Sequence, residues 1–149
     1  MLSLQAATGK DLPVLARMSC ELIEDEGATT SRSLAEVEHR LAEWLEDGWS
    51  IDLFLHDGDI AGYAIYQFRP DEYYPERTVA YLRDFFIARP LRRQGLGRLA
   101  FDALIRERFP AASAVVLEVL VSNDKGREFW SALGFQPFSI TMKLPLQGA

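Results

Sequence analysis

The chain has 149 residues, 48% of them hydrophobic and 26% charged, which is enough for one domain with a real core and too few for two ordinary domains. We therefore expect a single domain over residues 1–149. No apolar run reaches the length of a membrane span, and the first residues lack the layout of a signal peptide. A cytoplasmic protein without a membrane partner is the default expectation.

Charge is divided unevenly along the chain, whose net charge is −6. Residues 1–59 contain 13 acidic and 4 basic side chains, whereas residues 60–149 contain 9 acidic and 12 basic ones. This asymmetry is typical of an enzyme that joins an anionic cofactor to a cationic acceptor, although an ordinary solvated surface also explains it. Nucleic acid is not an expected partner, because the basic residues collect around one loop and the net charge repels a polyanion. No metal site is predicted.

Hydrophobic periodicity predicts alternating helices and strands along the whole chain. The single cysteine, Cys20, lies on the apolar side of the first predicted helix, so we interpret it as a packed thiol and not as a nucleophile. A capping box formed by Ser33 and Glu36 starts the second helix, and Asp57-Gly58 is a hairpin-turn signal. The predicted strands are residues 4–7, 49–55, 60–68, 78–87, 115–120 and 138–144. The first predicted helix begins at residue 12 and ends within residues 21–27, and the other predicted helices are residues 34–46, 96–109 and 123–133.

The stretch from residue 81 to residue 103 carries the strongest functional signal. It begins as an apolar strand and continues as an amphipathic helix, with Gly95 and Gly97 at the mouth of the helix. Glycines there allow a close backbone approach, and the first-turn N–H groups of a helix have no partner within the helix. Since Arg92, Arg93 and Arg98 lie alongside, the predicted guest is a phosphate or pyrophosphate.

Two known phosphate-binding patterns fit this loop incompletely. A P-loop needs Gly-Lys-Ser/Thr, whereas Gly97 is followed by Arg98 and Leu99. The dinucleotide fingerprint matches Gly95-x-Gly97-x-x-Ala100, and Glu118 follows at about the 20-residue spacing of a ribose-binding acid. However, residues 88–94 separate the strand from the first glycine, which that fingerprint does not allow. A nucleotide-binding oxidoreductase domain stays an alternative hypothesis.

A third pattern fits better. A strand, a basic connector and then Arg92-x-x-Gly95-x-Gly97 opening a long helix resemble the pyrophosphate-binding loop of the GNAT N-acetyltransferase superfamily. Further along, Asn123-x-x-Gly126-x-x-Phe129-Trp130-x-x-x-Gly134-Phe135 resembles the GNAT signature Asn-x-x-Ala-x-x-Phe-Tyr-x-x-x-Gly-Phe. The resemblance implies an α/β (α+β) fold with a mixed, mostly antiparallel sheet of six to seven strands, four flanking helices, the order β-α-α-β-β-β-α-β-α-β and a splayed parallel strand pair at the cofactor site.

The resemblance also implies acetyl-CoA (coenzyme A) as the cofactor. Main-chain groups of Phe86, Ile87 and Ala88 would pair with the pantetheine arm. The residues that would hold the pyrophosphate are Arg92, Arg93, Gln94, Gly95, Leu96, Gly97 and Arg98. Asn123, Phe129 and Trp130 of the second signature would complete the cofactor site.

The implied chemistry is transfer of the acetyl group to a primary amine of a small molecule by direct attack on the thioester. Asp84 and Glu118 are the candidate bases, although a strand carboxylate can equally be a structural ion-pair partner. The acidic run Glu24, Asp25 and Glu26 would cover the acceptor side, or it is simply a solvated helix end. A homodimer is compatible with the sequence.

Two departures from the family pattern bear on mechanism. Trp130 stands where many relatives carry the tyrosine that protonates the thiolate, and an indole N–H is not a usable acid at neutral pH. Arg83 stands where the similar Leu-Glu-Asp-Phe-Phe-Val motif of diamine acetyltransferases has its glutamate base. Arg83 therefore makes a polyamine less expected and an acceptor with its own carboxylate more expected, with Arg83 a candidate substrate-binding residue. The same departures keep open a catalytically silent CoA-binding or regulatory module.

Overall fold

Five strands and four helices make up the computed structural model, which describes residues 1–27 and 32–147. The strands are β1 (Leu2–Ala6), β2 (Ser50–His56), β3 (Asp59–Pro70), β4 (Thr78–Ile87) and β5 (Ala114–Val116). The helices are α1 (Leu12–Asp25), α2 (Leu34–Glu46), α3 (Leu96–Glu107) and α4 (Asp124–Ala132). None of the helices in these described ranges has the length and apolar character needed to cross a bilayer.

The sheet has the order β1-β2-β3-β4-β5, with antiparallel pairing throughout except for the parallel pair β4 and β5. Each face of the sheet carries its own apolar core, because side chains alternate between the two faces along each strand. One face packs against α1 and α2 around Leu15, Leu41 and Tyr63. The opposite face packs against α3 around Phe54 and Leu104.

Local sequence signals account for several element boundaries. The Ser33–Glu36 capping box is confirmed, since Glu36 N–H donates to Ser33 Oγ at 3.1 Å and Ser33 N–H donates to Glu36 Oε1 at 2.9 Å. The turn between β2 and β3 is confirmed as well: Asp57 and Gly58 both have positive φ, 54° and 88°, as a two-residue hairpin turn requires. Asp11 behaves differently from an ordinary cap, because its carboxylate accepts from Thr8 N–H in a short 3₁₀ turn that precedes α1.

A bulge in β4 places Arg83 and Asp84 on one face of the sheet. Ile65 pairs with Asp84 and Tyr66 pairs with Leu82, so Arg83 has no partner residue on β3. In regular strands neighbouring side chains point to opposite faces, but an inserted residue breaks that alternation. Arg83 and Asp84 consequently share the face that α1 and α2 cover, as their contacts described below demonstrate.

Close backbone approach between β3 and β4 depends on Gly62. A Cβ placed on Gly62 would lie 1.9 Å from the carbonyl oxygen of Phe86, far inside van der Waals contact. Any other residue would push β4 away from β3 just where Phe86 and Ile87 end the strand.

The parallel strands part as predicted. Pairing between β4 and β5 covers only Val79 to Tyr81 on β4 and Ala114 to Val116 on β5. From there, residues 82–87 continue in β4 while residues 117–120 leave the ladder. No ladder joins the two segments beyond this point, and Ile87 O at the end of β4 accepts instead from Arg92.

Three details of the predicted sheet were wrong for the residues that the structure describes. The sheet has five strands and not six to seven, and the strand predicted at residues 115–120 is confined to Ala114–Val116. The last predicted strand, residues 138–144, forms no ladder, and its apolar side chains are exposed, with Phe138 at 81%. Alternation alone does not make a strand, because a strand gains its stability from a paired neighbour and a covered face. Both are missing at the described C-terminal residues.

Candidate active site

The loop between β4 and α3 has the backbone of an anion-binding turn. It passes through a 3₁₀ turn at Arg89–Leu91, then through positive φ at Arg93 (64°) and Gly95 (79°), and enters α3 at Leu96. Gly95 is the N-cap residue and contributes no capping side chain. The first N–H groups of α3 are therefore not capped by a protein side chain at this position, as a helix end that receives an anion requires.

The arginines around the loop have different surroundings. Arg92 donates from Nε to Ile87 O at 2.7 Å and pairs with Asp25. Arg98 donates to Ala132 O at 3.1 Å and so ties α3 to the end of α4. Arg93 is exposed and makes no hydrogen bond or ion pair with the residues that the structure describes. Arg93 and Arg98 therefore form no ion pair with the described residues, and Arg93 has no hydrogen bond to them either.

Gly97 is needed for packing between helices. A Cβ at Gly97 would lie 2.9 Å from Cε1 of Phe129, so the α4 ring sits directly against the first turn of α3. Phe129 and Trp130 also contact Phe85, with ring centroids 5.8 Å and 5.2 Å apart. The two aromatic residues of the second signature thus hold α4 against β4 and the glycine loop.

Several other predicted cofactor-binding groups already have protein partners. Ala88 N–H donates to Ala61 O at 2.8 Å, and Ile87 O accepts from Arg92. Asn123 caps α4, its Oδ1 accepting from Gly126 N–H at 3.1 Å. Gln94 donates to Pro90 O at 3.4 Å. The assignment of these groups to coenzyme A stays a prediction.

Asp84 is held by a buried tyrosine. Tyr63 OH donates to Asp84 Oδ2 at 2.9 Å, and the Tyr63 side chain is fully buried. Burial raises the pKa of Asp84, while the Tyr63 hydrogen bond and the charges of Arg83 and Arg40 act in the opposite direction. A carboxylate with a raised pKa accepts a proton more readily near neutral pH than an ordinary aspartate does.

The acidic end of α1 is divided between two environments. Asp25 pairs with Arg89 at 3.0 Å and with Arg92, and Glu24 lies 3.5 Å from Arg89. Glu26 is different: desolvation, with the charges of Asp84 and Asp25, raises the pKa of Glu26. Glu26 is therefore the member of this run that shares its electrostatic environment with Asp84.

Glu118 lies where the parallel strands part. It accepts from Tyr81 OH at 2.6 Å, and burial together with this hydrogen bond raises the pKa of Tyr81 to about 12. Glu118 is exposed and has a satisfied partner. The structure thus separates the two candidate bases, with Asp84 half-buried on β4 and Glu118 at the surface beyond β5.

Arg83 stacks on α2. Its Cζ lies 4.4 Å from the centroid of the Trp44 ring and 5.6 Å from that of Trp49. Arg40 Cζ lies 4.8 Å from the Trp44 centroid. Two guanidinium groups therefore share one indole, on the same face of the sheet as Asp84.

A family model bears on the alternative hypotheses for the glycine loop. The model of the Acetyltransferase (GNAT) family matches residues 18–135, which is most of the chain and includes both signatures. The chain belongs to the GNAT acetyltransferase family. This match favours the acetyltransferase hypothesis over the dinucleotide alternative, and acyl transfer is the activity that the family supports.

Solved structures share the GNAT fold at low sequence identity. A possible acetyltransferase from Clostridium difficile 630 superposes with a TM-score of 0.80 at 13% identity, covering 98% of this chain and 97% of that one. A predicted acetyltransferase with acetyl-CoA from Clostridium acetobutylicum gives a TM-score of 0.76 at 18% identity, covering 100% and 99%. A ribosomal-protein-alanine N-acetyltransferase from Brucella melitensis biovar Abortus 2308 gives 0.78 at 13% identity, covering 98% and 100%. None of the curated proteins matches the chain in sequence.

Sequence reasoning missed three residues beside the candidate base. Tyr63 was only a member of an apolar strand, and Arg40 and Trp44 were only members of a helix. Each reaches Asp84 or Arg83 through pairing of distant segments, which no local pattern reveals. One local signal was present, because Arg40 and Trp44 lie four residues apart on the second predicted helix and so on one face of it.

Proposed function

We propose that this GNAT protein transfers the acetyl group of acetyl-CoA to a primary amine of a small molecule, with Asp84 as the general base. The observation that carries the proposal is the position of the half-buried Asp84 carboxylate. Asp84 lies on β4, the strand that borders the splayed gap, and accepts a hydrogen bond from Tyr63 of β3. A base at the edge of the cofactor gap is what direct attack of an amine on a thioester needs.

The residues present fit coenzyme A. The gap between β4 and the residues after β5 is not bridged by any ladder, the glycine loop exposes helix N–H groups, and Arg93 contributes a charge with no protein partner in the described part of the chain. Arg93 and the first turn of α3 would hold the pyrophosphate, and the edge of β4 would line the pantetheine arm. When bound, acetyl-CoA supplies an acetyl group activated as a thioester.

Proton removal defines the role of Asp84. A simple alkylammonium has a pKa of roughly 10, so at neutral pH only about one molecule in a thousand is the free amine. Asp84 takes one proton from the ammonium, directly or through water, and the nitrogen then forms the new C–N bond as the C–S bond breaks. The second nitrogen proton is lost as the amide forms. One of the two protons ends on the thiol sulfur and the other is released to solvent.

Trp130 does not serve as the acid in this scheme. Its indole ring packs among Phe85, Phe101, Phe129 and Phe135, with centroid distances from 4.8 to 5.9 Å. Indole N–H donates hydrogen bonds but does not ionise at neutral pH. Water is the group that we propose protonates the thiolate.

Acetyl-CoA turnover across a panel of amines is the experiment that tests the proposal. Release of free CoA that depends on an added amine, with formation of the N-acetyl product, would support it. Calorimetry with acetyl-CoA, CoA and NAD(H) accompanies the assay. Binding of CoA without turnover of any amine would identify a silent CoA-binding module, and binding of the dinucleotide alone would contradict the cofactor assignment.

A second test addresses the loop. Gly95→Val places a β-branched residue at a φ of 79°, and Gly97→Val drives a side chain into Phe129, so both variants should distort the N-terminus of α3 and weaken acetyl-CoA binding. Arg93→Gln should weaken it less, and most visibly at low salt. Unchanged affinity in a folded Gly95→Val protein would remove the basis of the pyrophosphate assignment.

A further inference from the structure

A run of stacked arginine and aromatic side chains crosses the α2 side of the sheet. Arg40 and Arg83 both stack on Trp44, and Arg83 also reaches Trp49, whose ring lies 5.9 Å from that of Trp44. Arg69 continues the run by stacking on Tyr81 at 4.1 Å. Planar guanidinium groups stacked on rings keep their N–H edges directed outward, where they can receive an anion.

The two arginines nearest Asp84 contact the described part of the chain by stacking and not by ion pairs. Arg40 and Arg83 form no ion pair there, whereas Arg89, Arg92 and Arg108 each have one. The Nε atom of Arg40 is also buried without a hydrogen-bond partner among the described residues. A buried donor without a partner is costly, and because this atom is closed to solvent, the cost falls only if the Arg40 side chain moves to meet a ligand.

Arg40 lies in a mixed electrostatic environment. Burial, followed by the positive charges of Arg32 and Arg83, lowers the pKa of Arg40, while the charges of Asp84 and Tyr63 act in the opposite direction. An anion bound between Arg40 and Arg83 would offset the repulsion between the two guanidinium groups.

The β4 bulge brings the arginines and the base to one face. In a regular strand, the side chains at positions 83 and 84 would point to opposite sides of the sheet. The bulge at Arg83 removes that alternation. With it, Asp84 contacts Tyr63 and Arg83 contacts Trp44 on the same side. A cationic group and a carboxylate base are thus adjacent, as binding of a molecule with both a carboxylate and an ammonium requires.

We propose that Arg40 and Arg83 bind the carboxylate of a free amino acid and so present its amine to Asp84. The inference rests on the proposed acetyltransferase activity and names the acceptor class. Guanidinium groups suit a carboxylate because their paired N–H donors match its two oxygens. A polyamine is disfavoured at the same place, because its second ammonium would meet two uncompensated positive charges.

Paired acceptors test this subsite. The probes are the twenty L-amino acids with β-alanine and γ-aminobutyrate, each measured against its carboxamide. Binding to the CoA-saturated protein is followed through the indole N–H signals of Trp44 and Trp49 in ¹H–¹⁵N spectra, and turnover is measured in parallel with acetyl-CoA. We expect at least one amino acid to bind and to react with a kcat/KM about 10- to 100-fold above that of its carboxamide, the range for a hydrogen bond to a charged group.

Arginine variants identify the residues responsible. Arg83→Gln should remove most of the preference for the acid over the carboxamide, because it should raise the KM for the acid. Arg83 is exposed, so the fold should tolerate this change. Arg40→Gln should have the same effect if the variant folds. Arg69→Gln is the matched control, since it removes a stacked guanidinium from the same run at Tyr81 and should leave the preference unchanged. Acetyl-CoA affinity should be equal in all of them.

The outcomes separate this inference from the proposed function. Selective binding of an amino acid without turnover would support the carboxylate subsite and contradict the acetyltransferase proposal. Turnover of carboxamides as fast as of the acids, or an intact preference in folded Arg83→Gln, would overturn the subsite and leave the activity standing. Absence of binding by every probe would overturn the subsite as well.

Discussion

Two aspartates on opposite faces of the sheet have very different surroundings. Asp52 of β2 accepts from Arg108 Nε and Nη2, both at 3.0 Å, and from Tyr66 OH at 2.5 Å. Asp84 of β4 accepts one hydrogen bond from a tyrosine and has no ion pair within the described part of the chain. Both carboxylates lie near arginines, but only Asp52 is enclosed by its partners.

The different surroundings of Asp52 and Asp84 indicate how a functional carboxylate can be recognised. A buried charge whose acceptor positions are filled by a guanidinium fork contributes to the fold and has little left to offer a ligand. A carboxylate that is partly desolvated, held by one hydroxyl and close to unpaired positive charge is costly for the fold. We infer that Asp52 is structural and Asp84 functional, and four experiments test this contrast.

The largest effect is expected for Asp84→Asn. Turnover should fall by about 10²–10⁴-fold, the usual loss of a general base, while acetyl-CoA affinity is unchanged. Because the folded-state pKa of Asp84 is raised, its ionised form at neutral pH costs stability that is regained on acidification. The variant should therefore have a higher Tm than wild type at pH 7, with a difference that shrinks at acidic pH. Wild-type turnover in a folded variant would exclude Asp84 as the base.

Asp52→Asn should show the reverse behaviour. Breaking one partner of a buried pair is strongly destabilising, and we expect a loss of about 3 kcal/mol in the free energy of unfolding by urea. This value lies at the lower end of the range for breaking a buried ion pair, because the Arg108 side chain is 30% exposed and can turn to water. Turnover per folded molecule should be unchanged. Arg106→Gln, which breaks only the exposed pair with Glu107, is the control and should cost less than about 1 kcal/mol.

Tyr63→Phe should alter the pH profile. The hydroxyl stabilises the Asp84 anion, so its removal raises the pKa of Asp84 further and moves the acid limb of kcat/KM to higher pH. At neutral pH we expect a loss of about tenfold, equivalent to one hydrogen bond to a charged group. Tyr66→Phe removes the corresponding hydroxyl from Asp52 and should leave the profile where it is. An equal shift in both variants would mean that the profile does not report Asp84.

The smallest effect is expected for Glu118→Gln. Glu118 is exposed and bonded to Tyr81, so turnover should stay within about threefold of wild type, well below the loss of a general base. A drop as large as that of Asp84→Asn would transfer the role of base to Glu118 or divide it between the two carboxylates.

The sequence predicted the structural features that depend only on residues close together in the chain. The capping box at Ser33, the Asp57-Gly58 turn and the glycine loop are signals contained within a few residues, and each occurs where it was predicted. The strand predicted at residues 138–144 was wrong because its formation depends on a distant neighbour. Apolar alternation was present there, but no partner strand lies beside those residues.

The candidate site likewise contains residues that a local motif predicts and residues that only the folded structure brings together. The glycine loop could be found from a motif, whereas Tyr63, Arg40 and Trp44 are assembled only when β3, β4 and α2 pack. The sequence also could not show that Asp25 is occupied by Arg89 and Arg92. Charge clusters are visible in a sequence, but their pairing is not.

The unpaired position of Arg83 has a consequence for how such a site can diversify. A residue that faces a core must keep its size and polarity, yet an inserted residue with no partner across the ladder carries neither obligation. Position 83 can therefore change, or be lost altogether, while Leu82 and Asp84 keep their pairing with β3. The bulge gives this sheet one exposed side chain beside its base whose replacement leaves the β3–β4 pairing intact, so a single mutation at position 83 can change acceptor preference without changing the fold.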